Sequence, residues 1–105
     1  ARGRPEVGGS LMEEWKYAES DPAQRLSLVR TFSVIKKQEE REIEFTITVH
    51  EYVSPPAAGM RYFAKADKQT NQDVAPYTPT GWGNDLLSAL SDCINAIEKF
   101  PYQGD

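Results

Sequence analysis

The chain has 105 residues, of which 39 % are hydrophobic and 27 % charged, and its formal net charge is −4. A chain of this length buries one modest core, so we expect a single domain over residues 10–105 behind a flexible tail over residues 1–9. The mildly acidic charge excludes the bulk positive field that drives non-specific binding to nucleic acid or anionic membranes, although a local basic patch is compatible with it.

Single copies of cysteine and histidine limit the chemistry that one chain can carry. Cys93 has no second cysteine for an internal disulfide, and Cys93 with His50 is too small a set for a thiolate-rich zinc site. We therefore expect no metal and no cofactor. No apolar run approaches the roughly 20 residues of a membrane span, and the first residues lack an apolar stretch of signal-peptide length. These features predict a cytoplasmic protein with no membrane partner.

The N-terminal region predicts one short helix. Ser10 and Glu13 fit a capping box, in which the hydroxyl and the carboxylate satisfy free backbone N–H groups at a helix start. A helix over about residues 11–19 follows, and the spacing of its apolar residues makes Trp15 a predicted core anchor.

Residues 24–37 carry an ambiguous pattern. A helix would place Leu28, Phe32 and Ile35 on one face, whereas alternate apolar residues in the same stretch fit a strand. We favour a strand over about residues 26–36, because β-branched and aromatic residues dominate its centre.

Residues 42–53 have the strongest strand pattern in the chain. The charged run at residues 37–41 before them predicts a solvated turn. An antiparallel strand with one buried and one polar face is expected from the alternation. The apolar positions are Ile43, Phe45, Ile47 and Val49, and the polar positions are Glu44, Thr46, Thr48 and His50.

A connector at residues 54–59 separates this strand from a second one at residues 60–66, because prolines cannot donate to a strand ladder and glycine permits a turn. Residues 67–73 are polar. Residues 74–80 fit either a short strand or an extended loop, and their prolines place any strand at a sheet edge.

The C-terminal region predicts a glycine-marked turn followed by the best-defined helix. The turn is Gly81-Trp82-Gly83, and the helix runs over about residues 84–99, capped by Asn84 or Asp85. Pro101 ends it. One apolar stripe follows the helical period, formed by Leu86, Leu90, Cys93, Ile94 and Ile97.

The order of these elements predicts an α+β fold. An apolar sheet face needs a cover and the helix stripe needs a floor, so the simplest arrangement has two layers. We expect an antiparallel three- to four-stranded sheet packed against the C-terminal helix, with a short N-terminal helix.

No enzyme signature appears in the sequence. There is no phosphate-binding loop, dinucleotide fingerprint or nucleophile elbow. Cys93 and His50 are a formal nucleophile–base pair, but Cys93 lies on an apolar helix stripe and His50 on the polar strand face. A buried thiol in apolar surroundings is inert, and the two groups are expected on opposite sides of the sheet. We therefore predict a protein that is not an enzyme.

The polar sheet face is the first candidate site. If the two best strands pair, His50 and Tyr52 lie beside Arg61, Phe63 and Lys65. An aromatic side chain flanked by cations on an open sheet resembles a stacking platform for unpaired bases, with the cations on phosphates. The alternative, which we favour, is that Phe63 is shielded by the N-terminal helix or by a partner subunit.

A second candidate site is formed by Tyr77 and Trp82, which lie close in sequence beside glycines and prolines. Exposed aromatics of this kind anchor protein–protein interfaces. Trp82 closing one end of the core is an equally good interpretation. A free sheet edge would offer a further route to association between chains.

About half of the chain, from roughly Ile43 to Phe100, resembles the HicB-like antitoxins, whose fold is a partial version of the double-stranded-RNA-binding fold. The resemblance lies in Tyr62-Phe63-Ala64, the segment Pro79–Gly83, and the pairs Ala89-Leu90 and Ala96-Ile97. It implies a small sheet-plus-helix fold and an antitoxin-like role. No functional residue is carried over from it.

The sequence thus predicts a small non-catalytic protein-interaction module, acting as a regulatory or antitoxin-like partner and able to self-associate. The alternative is a nucleic-acid-binding module that uses the aromatic and basic sheet face.

Overall fold

A computed structural model describes residues 14–104 of the chain. The predicted tail over residues 1–9 and the Ser10 cap lie outside these residues. The α+β fold is confirmed: the sheet is antiparallel with strand order β1-β2-β3-β4, and one helix packs on one of its faces. The elements are two 3-10 turns (Glu14–Ala18 and Pro22–Gln24), β1 (Ser27–Gln38), β2 (Arg41–Tyr52), β3 (Tyr62–Ala66), β4 (Thr80–Gly83) and the helix α1 (Leu86–Lys99).

The two longest strands form a hairpin. β1 pairs with β2 without interruption from Ser27 opposite Tyr52 to Gln38 opposite Arg41. This confirms the predicted strand in this region and excludes the alternative helix. The turn predicted over residues 37–41 is confined to residues 39–40, because Lys37, Gln38 and Arg41 belong to the paired strands. Glu39 at the tip adopts φ 58°, in the left-handed region that a tight two-residue loop demands.

The core lies between the sheet and α1. The face of the sheet toward α1 (the inner face) carries the four apolar residues predicted from β2, and all four are buried. Asp85 caps α1, since its carboxylate accepts a hydrogen bond from the backbone N–H of Ser88 at 2.8 Å. Within the predicted stripe Cys93 and Ile97 are buried, and Leu86, Leu90 and Ile94 pack around them at the border of the core.

β4 corrects the interpretation of the Gly-Trp-Gly segment. It is a strand, not a turn, and it pairs with β3 through Gly81 opposite Ala64 and Gly83 opposite Tyr62. A Cβ atom at Gly81 would lie 2.3 Å from the carbonyl oxygen of Ala89 in α1. The glycines are therefore there because the helix backbone approaches the sheet closely, a known reason for glycine inside a strand.

Two further predictions are corrected. Residues 74–79 are a loop that touches the preceding segment through one bridge, Thr70 to Tyr77, so the short strand begins only at Thr80. The N-terminal helical segment is a 3-10 turn with no buried residue, and Trp15 is only half-buried. Trp15 is not a core anchor, because the apolar space under the sheet is already filled by α1 and the segment after it.

The segment that follows α1 is fixed to β1 and β2 by polar side chains. Gln38 pairs with the backbone of Tyr102, accepting from its N–H and donating to its carbonyl, both at 2.8 Å. The Tyr102 ring packs edge-on against Phe45, with ring centroids 5.9 Å apart. These contacts close the inner face at the hairpin end, where α1 no longer reaches.

Among residues 14–104, no helix combines the length and apolar character needed to cross a lipid bilayer.

Candidate ligand-binding face

The sheet has a second face, opposite α1, which we call the open face. It carries the side chains that alternate with the core residues, including Thr48, His50 and Tyr52 of β2. Because α1 packs on the inner face, no helix within residues 14–104 covers them. Antiparallel sheets commonly leave one face to solvent, but such a face is normally polar. This one is not uniformly polar.

An aromatic row crosses the open face from β2 to β4. It consists of Tyr52, His50, Phe63 and Trp82. The ring centroids of neighbours are 5.8 Å apart for Tyr52 and His50, 6.5 Å for His50 and Phe63, and 4.4 Å for Phe63 and Trp82. The first two pairs are stacked, with planes 10° and 26° apart, and the planes of Phe63 and Trp82 are tilted by 36°.

Strand register builds this row. His50 lies directly opposite Phe63, and Phe63 lies directly opposite Trp82. The backbone N–H of Ala66 donates to the carbonyl of Pro79 at 3.0 Å, which makes Phe63 and Trp82 a non-hydrogen-bonded pair by the alternation of antiparallel ladders. Side chains approach each other most closely at such pairs. Trp82 keeps 37 % of its surface exposed.

Two cations flank the row, one on β3 and one in the residue just before it. Arg61 and Lys65 stand two residues on either side of Phe63, and therefore on the same face. Lys65 is exposed, while Arg61 is half-buried and its guanidinium lies 3.4 Å from the carbonyl oxygen of Tyr52. No carboxylate within residues 14–104 forms an ion pair with either cation. Within the described part of the chain, neither positive charge is neutralised.

The acidic side chains of the open face lie outside the aromatic row, and one of them, Asp67, follows β3 two residues after Lys65 and pairs with Lys68 at 3.2 Å. Glu42 and Glu44 stand near the hairpin tip, and Glu44 is about 20 Å along β2 from His50. Each has a partner: Lys37 lies 3.8 Å from Glu42, and the Ser33 hydroxyl donates to the Glu44 carboxylate at 2.6 Å. The open face thus divides into a charged half with both signs and an aromatic half with cations alone.

His50 and Cys93 lie on opposite sides of the sheet, as the sequence predicts. Nδ1 of His50 is 3.1 Å from the hydroxyl of Ser27 on the open face. Cys93 is buried in the core, and its thiol lies 3.6 Å from the carbonyl oxygen of Pro79. Burial, with a smaller effect from Asp92, raises the pKa of the Cys93 thiol to about 11. A thiol in that state is not a nucleophile at neutral pH.

A buried ionic cluster on the inner face was not predicted. Glu51 is 7 % exposed and lies 2.9 Å from Arg30 and 3.8 Å from Lys16. Burial, reinforced by Glu51, raises the pKa of Tyr62. Strand alternation could have predicted that Glu51 is buried, because Glu51 lies two residues after Val49 and therefore on the same, buried face of β2. Arg30 and Lys16 thus neutralise the buried Glu51 carboxylate.

The candidate residues from the sequence fall into two places. His50, Tyr52, Arg61, Phe63 and Lys65 share the aromatic half of the open face, and Trp82 joins them there. Tyr77 does not: it packs against Phe100 beyond the end of α1, with ring centroids 5.1 Å apart. The predicted interface pair is therefore divided between two surfaces. Trp82 lies beside Phe63 because the Gly-Trp-Gly segment is a strand paired with β3 and not the predicted turn.

Within the described part of the chain, no group of three or more His, Cys, Asp or Glu side chains is arranged to hold a metal ion. Comparison with protein-family models, with curated proteins and with solved structures found no match for this chain. The case for a function therefore rests on the geometry of the open face.

Proposed function

We propose that the protein is a non-catalytic binding module whose open face holds single-stranded nucleic acid. The observation that carries the proposal is the aromatic row, beside which Arg61 and Lys65 have no carboxylate partner within residues 14–104. Bases present an aromatic face whatever their sequence, and each base stacked on a protein ring contributes about 1–3 kcal/mol. Arg61 and Lys65 stand where a backbone phosphate beside a base on Phe63 would need a positive charge.

The distribution of charge supports the same ligand. A net charge of −4 opposes general attraction to a polyanion. The acids of the open face each have a partner: Glu42 lies 3.8 Å from Lys37, Asp67 lies 3.2 Å from Lys68, and the Glu44 carboxylate accepts a hydrogen bond from Ser33. A strand of nucleic acid laid across the aromatic row would therefore meet Arg61 and Lys65, and the nearby Asp67 already has a cationic partner.

The aromatic side chains of the open face favour an unpaired strand over a duplex. In a double helix the base faces are stacked on one another and are not available to protein rings. A row of aromatic rings that stacks on the faces of bases discriminates by strand state and only weakly by base sequence.

Fluorescence anisotropy with a labelled single strand of about 12 nucleotides tests the proposal. We expect saturable binding, and weaker binding to the matching duplex. If Arg61 and Lys65 neutralise two phosphates, affinity falls about sevenfold between 50 and 200 mM salt. The absence of salt-sensitive binding to DNA and RNA single strands would refute the proposal.

Matched variants locate the site. Phe63→Ala should weaken binding about tenfold or more, because it removes one stacking ring. Ile35→Ala removes an exposed apolar side chain from the charged half of the same face and should leave affinity unchanged. Lys65→Ala should lower both affinity and its salt dependence, whereas Lys37→Ala should alter neither. Circular dichroism of each variant separates loss of binding from loss of fold. Equal effects of the paired variants would place the ligand elsewhere.

The protein-interaction role expected from the sequence is the second candidate. The paired aromatics on which it rested lie on separate surfaces, but the free edge of β1 supplies a different observation in its favour.

A further inference from the structure

β1 has a long free edge. It is 12 residues long, and within residues 14–104 its side away from β2 pairs with no other strand. The backbone N–H of Val53 donates to the carbonyl of Leu26 at 3.1 Å, which fixes the alternation of the ladder. By that alternation, the odd-numbered residues of β1 point their N–H and C=O groups away from β2. They are Ser27, Val29, Thr31, Ser33, Ile35 and Lys37.

This edge lacks the features that normally prevent strands from pairing between molecules. β1 contains no proline, and its register with β2 runs without a bulge. Lys36 points inward, but its ammonium is held by carbonyls at the end of α1, at 2.9 and 2.6 Å, and so does not repel a neighbour. The charge that remains exposed, Lys37, stands at the hairpin end.

Apolar side chains lie on both sides of the free edge. On the open face Val29 is 49 % exposed and Ile35 is 56 % exposed. On the inner face Phe32 and Val34 are only half-buried, because α1 packs mainly over β3 and β4. β1 thus presents incompletely covered apolar side chains among polar ones on both of its faces, a pattern that favours pairing of the edge with another strand.

We propose that the occupant of this edge is a second copy of the chain, paired antiparallel through β1 about a two-fold axis at Phe32. In this register Val29 lies opposite Ile35 of the partner subunit, and Thr31 lies opposite the partner's Ser33. On the inner face Phe32 meets the partner's Phe32 at a non-hydrogen-bonded position, where side chains are closest. Each exposed apolar residue gains an apolar neighbour, and two aromatic rings meet at the axis.

Self-complementarity selects this register over its neighbours. It is the alignment in which every outward-pointing residue of β1 is paired at once. A slip by two residues in one direction places Val29 opposite the partner's Ser33, and a slip in the other places it opposite the partner's Lys37. Both slips leave an end of the ladder unpaired and separate the apolar pair. A slip by one residue breaks the match between faces.

The two-fold axis of such a pair is perpendicular to the sheet, so both open faces lie on one side of a continuous sheet. The aromatic rows of the two copies are then separated along the strands by the six-residue offset between Val29 and Ile35, which is about 20 Å. The self-association stands independently of the ligand proposed above, because β1 contributes no residue to the aromatic row.

Sedimentation equilibrium of the full chain tests the proposal. A pairing along one edge is at the lower end of the range of interfaces, under about 1,200 Å², so association is weak and loading concentrations must extend from about 10 µM to about 1 mM. We expect the mass to rise from the 11.8 kDa of one chain toward twice that value. A monomer across the whole range would overturn the proposal.

Two variants show that β1 is the contact. Thr31 and Thr48 are a non-hydrogen-bonded pair, so Thr31→Pro removes an outward N–H and no hydrogen bond of the hairpin. It should give a monomer, while Thr31→Val should leave the dimer intact. Val29→Glu should also dissociate the dimer. Adding Ile35→Lys to Val29→Glu should restore it, because opposite charges then face each other across the pair. A dimer that persists in both Thr31→Pro and Val29→Glu would overturn the proposal.

Cysteine pairs test the register and do not depend on a variant that weakens folding. Residues 29 and 35 are about 20 Å apart within one strand, so a disulfide in Val29→Cys with Ile35→Cys can form only between chains. We expect oxidation to link this variant into covalent dimers. Val29→Cys with Ser33→Cys is the matched control, because those positions meet only after a two-residue slip. Preferential linkage of the control would overturn the proposed register.

Discussion

The ammonium of Lys36 lies 2.6 Å from the carbonyl oxygen of Phe100 and 2.9 Å from that of Ile97, although Lys36 is 6 % exposed and stands on β1, the strand farthest from β4. The last carbonyls of a helix have no partner within it, and the helix dipole makes that end negative. One side chain thus neutralises the end of α1 and ties the edge strand to the helix.

Replacing this lysine should be costly. Lys36→Met keeps the stem but leaves two buried carbonyls without their charged donor, so we expect unfolding free energy to fall by about 2 kcal/mol. Lys37→Met on the exposed side of the same strand should change it by no more than about 0.5 kcal/mol. Urea denaturation of the wild type and the two variants measures both changes in unfolding free energy. Equal small effects would mean that the helix end is satisfied without Lys36.

Gly81 should not tolerate a methyl group. The Cβ atom of Gly81→Ala would contact Ala89 and Cys93 backbone atoms at 2.3 and 2.7 Å, so α1 must move away from β4. We expect a loss of about 3 kcal/mol or more. Gly59→Ala is the control: φ there is 80°, but nothing lies within 4 Å of the new methyl, so backbone strain alone should cost about 1 kcal/mol. The difference appears in chemical denaturation. Similar losses at both positions would contradict the close approach of helix and strand.

Thr70 offers a stabilising change. Its side-chain hydroxyl is fully buried and has no hydrogen-bond partner among residues 14–104, while its backbone pairs with Tyr77. Thr70→Val replaces the hydroxyl by a methyl of similar size, and the melting midpoint should rise with a gain of about 1 kcal/mol. Thr48→Val on the open face should change stability by about 0.5 kcal/mol or less. A loss of stability in Thr70→Val would show that the hydroxyl is hydrogen-bonded in solution.

The buried thiol predicts a loss of stability in alkali. The pKa of Cys93 is raised from its ordinary 9.0 to about 11, so the unfolded chain releases this proton before the folded one does. The contribution of the neutral, buried Cys93 thiol to the free energy of unfolding is intact below pH 9 and is lost as the pH rises through 11. Between pH 8 and 11 the stability advantage of the wild type over Cys93→Ala should therefore shrink by about 2 kcal/mol. A constant difference would contradict the raised pKa.

Side-chain periodicity was sufficient to predict most of this fold. The alternation of Phe45 and Ile47 with threonines defines a strand with one buried face, and the spacing of Cys93 and Ile97 defines a helix stripe. Both signals are local, and the structure confirms both. The same alternation predicted that His50, Phe63 and Lys65 share a face, which is where the structure places them.

Features set by distant contacts were not predicted. Gly81 and Gly83 have no side chain to alternate, so β4 looked like a turn, and Trp82 was separated from Phe63 with which it stacks. The partner of Lys36 lies more than sixty positions away in sequence. The periodicity of the local sequence does not indicate how closely α1 approaches β4. Nor does it indicate that the end of α1 lies beside Lys36 on the edge strand.

The contacts between Gln38 and Tyr102 also set a condition on how the protein is made. They join positions 64 residues apart, so on the ribosome the β1–β2 hairpin is complete well before the segment that closes its inner side has been synthesised. The hairpin is complete at Tyr52, 50 residues before Tyr102, so at about 5–20 residues per second that interval is roughly 2.5–10 s. For most of it Phe45 has neither the helix nor Tyr102 against it. The nascent chain, rather than the finished protein, is therefore the form most exposed to aggregation and most in need of a chaperone.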